Sequence, residues 1–307
     1  MASSGLLILD KPHGIPSFKA VQALKRRFRW TKAGHVGTLD PLATGVLPIC
    51  VGKATRLIPY IMECEKGYEA LIRLGAETLT QDREGAVTRM YCGRRYPSPG
   101  EVEGVLGRFR GEVEQVPPMY SALKYKGRRL YEWARDGKDL PRNPRMVRID
   151  TITCLAYTYP FLLVDITCGR GTYIRSLAAD IGRALGTGGH LWALRRLRVG
   201  EYTIERSLQW GTIERMRREE MEDALISMGE MLHFLPAIQV DLKGKAAMAH
   251  GRTFTLVNPP PAESFDNNML VRVEDPDGVF LGLGGVIRCT EHALGLEISI
   301  KPSMVIS

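Results

Sequence analysis

Residues 34–45 read GHVGTLDPLATG, a single acid, Asp40, among three glycines, with His35 as the one nearby side chain that could ligate a metal. Pro41 pushes Asp40 toward extended dihedrals, and the flanking glycines let another backbone come close. A carboxylate held in that way can act as nucleophile or base. An Asp-Pro pair also reads as an ordinary turn, so both readings stand on these residues alone. The stretch runs on into GVLPICVGK, which is not a phosphate loop: six residues separate its glycines instead of four, and Ala54 occupies the place of the required Ser or Thr.

Outward from this loop, the chain reads as strands and helices mixed at irregular intervals. Gly5 to Leu9 form a short strand, and Ser17 is placed to cap a helix with Val21, Leu24 and Phe28 inward and Lys25, Arg26 and Arg29 outward. Tyr68, Ala70, Ile72 and Leu74 alternate as one face of a strand. Ser98 and Glu101 make a capping box before Val102, Val105, Leu106 and Phe109. Two or three strands are expected between Arg145 and Cys168. A helix then follows Thr172 and stops at Gly186. Without a regular βαβ period the class is α+β, with a mixed, mainly antiparallel sheet.

After Pro236 the pattern changes to short strand-like runs at 254–257, 269–273, 279–283 and 294–300, separated by turns that include a loop at 258–268. The expected division is therefore 1–236, with linker helices over 211–236, and a small β-rich domain over 237–307.

Composition limits the function classes. Hydrophobic residues at 44% and charged residues at 25% of 307 exclude a disordered or collagen-like chain. No apolar run approaches the roughly 18 residues of a spanning helix. The N-terminus lacks a basic n-region, and its apolar run ends at Asp10, so a cytoplasmic location is expected. The six cysteines show no CxxC and no paired histidines, and read as reduced, mostly buried thiols. Ser121 to Lys124 fit S-x-x-K without its companion motifs, and no GxGxxG, HExxH or zinc-deaminase signature occurs. No metal or cofactor is expected.

The net charge of +8 is concentrated. Lys19 to Lys32 hold six basic residues and no acid; Lys124 to Arg148 hold nine basic and three acidic residues, and the remainder of the chain is net negative. Phe28, Trp30, Tyr125, Tyr131 and Trp133 lie among these cations. The mixture suits a nucleic acid, whose phosphates take the charge and whose unstacked bases take the rings; a solvated helix face with core-facing aromatics is the other reading.

GHVGTLDPLATGVLPICVGKAT closely resembles the catalytic motif of the TruB family of pseudouridine synthases, with Asp40 at the place of the family's essential aspartate. LDKPHGIPS at 9–17 is similar to its lysine-proline motif. KGYEALIRLG, with Thr78, Thr80, Asp82 and Gly85, resembles its tyrosine strand and following loop, although Glu69 stands where some relatives are basic. VPPMYSALKYKGRRLYEWAR, CGRGTYIRSLAADIGRALG and GGHLWALRRLRVG continue the resemblance in order, so that it covers residues 5 to about 210. The tail resembles a PUA domain through VRVEDPDGVFLGLGGV and KPSMVI.

The resemblance implies isomerisation of uridine to pseudouridine in the T-loop of tRNA, at position 55, by a monomer without guide RNA, cofactor, metal or membrane. It implies that Asp40 attacks the sugar or assists its deprotonation, that Tyr68 stacks on the flipped base and assists proton removal at C5, and that Arg175 pairs with and orients Asp40. Leu194 would line the pocket, His35 support the extruded base or fill its gap, and Lys11 steady the tyrosine strand or a phosphate. Arg26, Arg27, Lys124 and Arg128 would grip the RNA. Two other functions share these features: a non-catalytic RNA-binding or tRNA-folding protein of the same fold, and a hydrolase of glycosidic bonds.

Overall fold

The computed structural model describes residues 4–93, 95–257, 265–292 and 295–306. Part of the expected loop at 258–268, namely 258–264, and the first residue of the expected strand at 294–300 lie outside the described residues.

A mixed sheet forms the centre of the chain. Its order runs Leu208–Gln209, Gly5–Lys11, Thr44–Val51, Gly189–Val199, Lys66–Leu74, Phe161–Cys168, Arg145–Thr158, Gly111–Gln115, with Ala33–His35 and Tyr202–Thr203 attached beside it. Most neighbours are antiparallel; Gly189–Val199 against Thr44–Val51 and Gly5–Lys11 against Leu208–Gln209 are parallel. The α+β class and the mainly antiparallel sheet are thus as expected.

One face of the sheet is sealed by the helices Ser17–Arg27, Pro99–Gly107 and Ile174–Ala184. Their apolar stripes bury Val21, Leu24, Val102, Leu106, Leu177 and Ile181 against Tyr68, Ala70, Ile72, Val164 and Leu191. The period-2 alternation of the Lys66–Leu74 strand places its inward residues on this face. The capping box at Ser98 and Glu101 is present, with the Ser98 hydroxyl accepting from the Glu101 amide at 3.3 Å.

Ser17 departs from its expected role. The helix is preceded by Pro16, with no side-chain cap. The Ser17 hydroxyl instead donates to the Leu39 carbonyl at 2.8 Å and accepts from the Leu39 amide at 2.9 Å. It ties the first helix to the residue before Asp40. Phe28 and Trp30 are buried and stacked, 5.3 Å between centroids, so the aromatics of the first basic segment belong to the core. Of the cysteines, Cys50 and Cys168 are buried but Cys92 is exposed, so burial is less general than the sequence suggested.

The five-stranded second sheet has the order Ala237–Gln239, Leu270–Glu274, Phe280–His292, Gly295–Val305, Phe254–Val257. Its Leu283 and Met304 join Leu6, Ile8, Val46 and Cys50 in a cluster on the face of the central sheet opposite the helices. Arg272 secures the junction, donating to the carbonyls of Leu235 at 3.1 Å and Gly229 at 2.9 Å. Among the described residues, no helix is long and apolar enough to cross a membrane.

Candidate active site

Asp40 lies on the loop between Ala33–His35 and Thr44–Val51, and its side chain retains 35% exposure. Arg175, on the first turn of the Ile174–Ala184 helix, is almost wholly buried. Its Nε donates to Oδ2 of Asp40 at 2.8 Å, and Nη2 approaches Oδ1 at 3.4 Å. The same guanidinium donates through Nη1 to the Thr80 carbonyl at 3.0 Å and through Nη2 to the Tyr120 carbonyl at 2.8 Å. A planar cation held by two carbonyls presents its remaining edge to one carboxylate, a rigid and directional arrangement.

The helix that carries Arg175 is itself fixed. Buried Gln115 accepts from the Tyr173 amide at 2.8 Å and donates to the Tyr173 carbonyl at 3.1 Å, and the Ser176 hydroxyl lies within hydrogen-bond distance of the Gln81 side chain and the Val116 carbonyl. The 78–85 loop is pinned in turn by Asp82. Its carboxylate accepts from Thr80 Oγ1 at 2.5 Å and the Glu84 amide at 3.0 Å, and lies 3.8 Å from Arg175 Nε. A Cβ at Gly85 would meet Thr80 Oγ1 at 2.3 Å, so the tightness of this loop requires glycine there.

Lys11 occupies neither of its expected places. It has no exposed surface, and its ammonium donates to the carbonyls of Pro12 and Ile15 at 2.8 Å and of Pro41 at 3.4 Å. A group so enclosed cannot meet a phosphate, and it steadies the Asp40 loop instead of the tyrosine strand. Burial lowers its pKa to about 8, with the Asp40 charge opposing that shift.

Tyr68 is 8% exposed. It lies opposite Ile166 on one side and Arg196 on the other. Burial raises the pKa of its phenol, and the positive charge of Arg196 is the chief influence against that rise. Leu194 lies opposite Ala70 in the same core. His35 is half-buried, and its Nδ1 is enclosed without a hydrogen-bond partner among the described residues. Burial, followed by the Arg196 charge, lowers its pKa, which leaves a neutral imidazole at pH 7.

The basic segments divide. Arg26 and Lys124 are exposed. Arg27 is also at the surface, and its Nε and Nη2 donate to the carbonyls of Ile213 and Met216 at 3.2 and 2.9 Å, so it anchors the 213–216 segment. Arg128 pairs with Asp136 at 2.7 Å and stands 4.8 Å over the Trp133 ring, a cation already engaged. Lys126 lies over Tyr125, and Arg129 and Arg135 over Tyr131, so cations lie against the rings of this segment.

The structure therefore joins Arg175 directly to Asp40, and the Asp40 charge acts on the buried Tyr68 phenol. Two family descriptions match the chain in tandem: TruB family pseudouridylate synthase (N terminal domain) over residues 25–174, and tRNA pseudouridylate synthase B C-terminal domain over residues 175–233. The chain belongs to the TruB family. A tRNA pseudouridine synthase B of Chromohalobacter salexigens is 40% identical over 291 residues, covering 94% of this chain and 92% of that protein. Its counterpart from Burkholderia mallei is 40% identical over 299 residues, 96% of each. Among solved structures, a chain of a Cbf5-Nop10-Gar1 complex is 26% identical with a TM-score of 0.74, over 98% of this chain and 84% of that one.

Within this TruB-family site, the sequence reading passed over Arg196. It is 1% exposed, with Nε donating to the Val46 carbonyl at 2.7 Å and Nη2 to the Gly37 carbonyl at 3.0 Å. In LWALRRLRVG three arginines alternate with apolar residues or lie side by side, and nothing local distinguishes the buried one. The signal available was distant: Gly37 and Gly45 leave the space that Arg196 fills. Asp82 was noted only as part of a motif, and its placement beside Arg175 depends on the fold.

Proposed function

We propose that this chain isomerises uridine to pseudouridine at position 55 in the T-loop of tRNA, acting as a monomer and without a guide RNA. The observation that carries the reading is the Asp40 carboxylate, partly open to solvent and fixed by a buried guanidinium at 2.8 Å. Membership of the TruB family and the names of the relatives at 40% identity support the reaction and the substrate class.

In the reaction the N1–C1′ bond of uridine breaks, the uracil turns, and C5 bonds to C1′; C5 loses its proton and N1 gains one. Nothing is oxidised or reduced. Asp40 attacks the sugar or assists its deprotonation, with Arg175 holding the carboxylate in a single orientation. Tyr68 lies against the flipped base and assists removal of the C5 proton, while Leu194 dries the pocket floor. Extruding the base costs a few kcal/mol, which phosphate contacts offset. Arg26 and Lys124, both exposed, are the cations we assign to those contacts, and His35 supports the extruded base.

We assign residues 1–236 to the catalytic domain and 237–307 to an RNA-binding, PUA-like domain. Incubation of the protein with an unmodified tRNA transcript, followed by carbodiimide treatment and mapping of reverse-transcription stops, tests the proposal. A stop in the T-loop supports it. Binding without modification would leave a tRNA-folding protein, and release of free uracil would indicate a hydrolase.

A further inference from the structure

The strand Gly189–Val199 lies between the strand that leaves the Asp40 loop and the strand that carries Tyr68. Arg196 is the residue of that strand that faces both: it registers with Gly45 on one side and with Tyr68 on the other. Gly45, at φ +99°, would place a Cβ 2.1 Å from the Arg196 carbonyl oxygen, so the loop is closed directly onto the Arg196 backbone. The side chain then reaches around the loop. It donates to the carbonyls of Gly37, three residues before Asp40, and Val46, six residues after it.

Burying a guanidinium is costly, and a structural arginine in a core ordinarily meets a carboxylate. Among the described residues Arg196 has no ion-pair partner; it donates to two loop carbonyls, and its charge and a side-chain hydrogen bond both act on the Tyr68 phenol. A neutral residue could fill this space without the cost, which argues that the cation serves the reaction. We propose that Arg196 is a positioning residue: one buried guanidinium ties both arms of the Asp40 loop to the strand beside Tyr68 and so fixes the carboxylate and the phenol relative to each other. The inference rests on the isomerase reading. It places Arg196 behind both groups, without contact to the RNA.

Lysine keeps the charge but lacks the planar fork that spans two carbonyls. In single-turnover assays R196K is expected to lower the rate constant at least tenfold, with KM for tRNA within about threefold of wild type. The stoichiometry of tRNA binding should stay unchanged, which separates the loss from a fraction of unfolded protein. R196Q, which keeps one donor and removes the charge, should lose more and should shift the alkaline limb of the pH–rate profile upward, because the cation no longer opposes the raised phenol pKa. A wild-type rate in R196K, or a change confined to KM, would overturn the inference. Failure of both variants to fold would make Arg196 a purely structural residue and overturn it as well. A wild-type protein that forms no pseudouridine would instead remove the isomerase reading on which it rests.

Discussion

Arg175 Nε lies 2.8 Å from Oδ2 of Asp40, while the other donors of the same guanidinium are held by the carbonyls of Thr80 and Tyr120. The cation is thus fixed before it meets the carboxylate, and the orientation of Asp40 follows from the 78–85 loop and the Ile174–Ala184 helix. Arg175→Lys retains the charge and loses the hold of the two carbonyls on a planar fork. Its rate constant for isomerisation should fall about a hundredfold, equivalent to about 2.7 kcal/mol of barrier, with tRNA affinity little changed. Single-turnover kinetics beside filter binding measure both.

Ser17 holds Leu39 through both its amide and its carbonyl, at 2.9 and 2.8 Å. Ser17→Ala leaves two buried backbone groups unpaired beside Asp40. Stability should fall by about 1–3 kcal/mol, and the rate constant should fall with it. Denaturant unfolding gives the first quantity. An unchanged midpoint would show that the contact is dispensable.

Lys11 carries a pH signature. Its pKa is lowered from 10.5 to about 8 in the fold, so between those values the unfolded chain binds more protons than the folded one. By linkage, this group's contribution to stability rises with pH from about 8 to about 10.5. Buried thiols and phenols act in the opposite direction, so the difference between wild type and Lys11→Met is the useful quantity. That difference should move in favour of wild type by up to about 3 kcal/mol across the window. In the same range the ammonium loses its charge and a donor for the loop carbonyls, so the wild-type rate should decline while the K11M rate stays flat.

Arg26 and Arg27 should separate. Arg26→Glu is expected to weaken tRNA binding and flatten its salt dependence by about one phosphate contact or more. Arg27, bonded to the Ile213 and Met216 carbonyls, should show its effect first as lowered thermal stability. Equal salt slopes for R26E and wild type would exclude Arg26 from the RNA contact.

Much of the fold was legible where a local pattern carried it. The alternation of Tyr68, Ala70, Ile72 and Leu74, the capping box at Ser98 and Glu101 and the stop at Gly186 depend on neighbours in sequence, and the elements stand where these signals put them. Ser17 illustrates the limit. A serine before a helical stripe reads as a cap, yet Leu39, 22 residues away, offered it two bonds. Lys11 and Arg27 look like surface cations for the same reason, since their carbonyl partners come from distant segments. The short Ala237–Gln239 strand and the Leu242–Ala249 helix passed unnoticed, the first too brief and the second too weakly amphipathic for a periodic signal. At the site, Asp40 and Arg175 were read through a long motif, whereas Arg196 became visible only when three strands were laid side by side.

The central claim is that the Asp40 carboxylate performs the isomerisation and does not merely support the fold. Asp40→Asn keeps the size of the side chain and removes the charge, and pseudouridine formation in an unmodified tRNA transcript, read beside tRNA binding by the same preparation, tests it most directly. The account predicts no pseudouridine in the T-loop, with affinity kept within about tenfold, or about 1.4 kcal/mol, of wild type. Pseudouridine formed by the variant at the wild-type rate, or loss of binding together with activity, would contradict it.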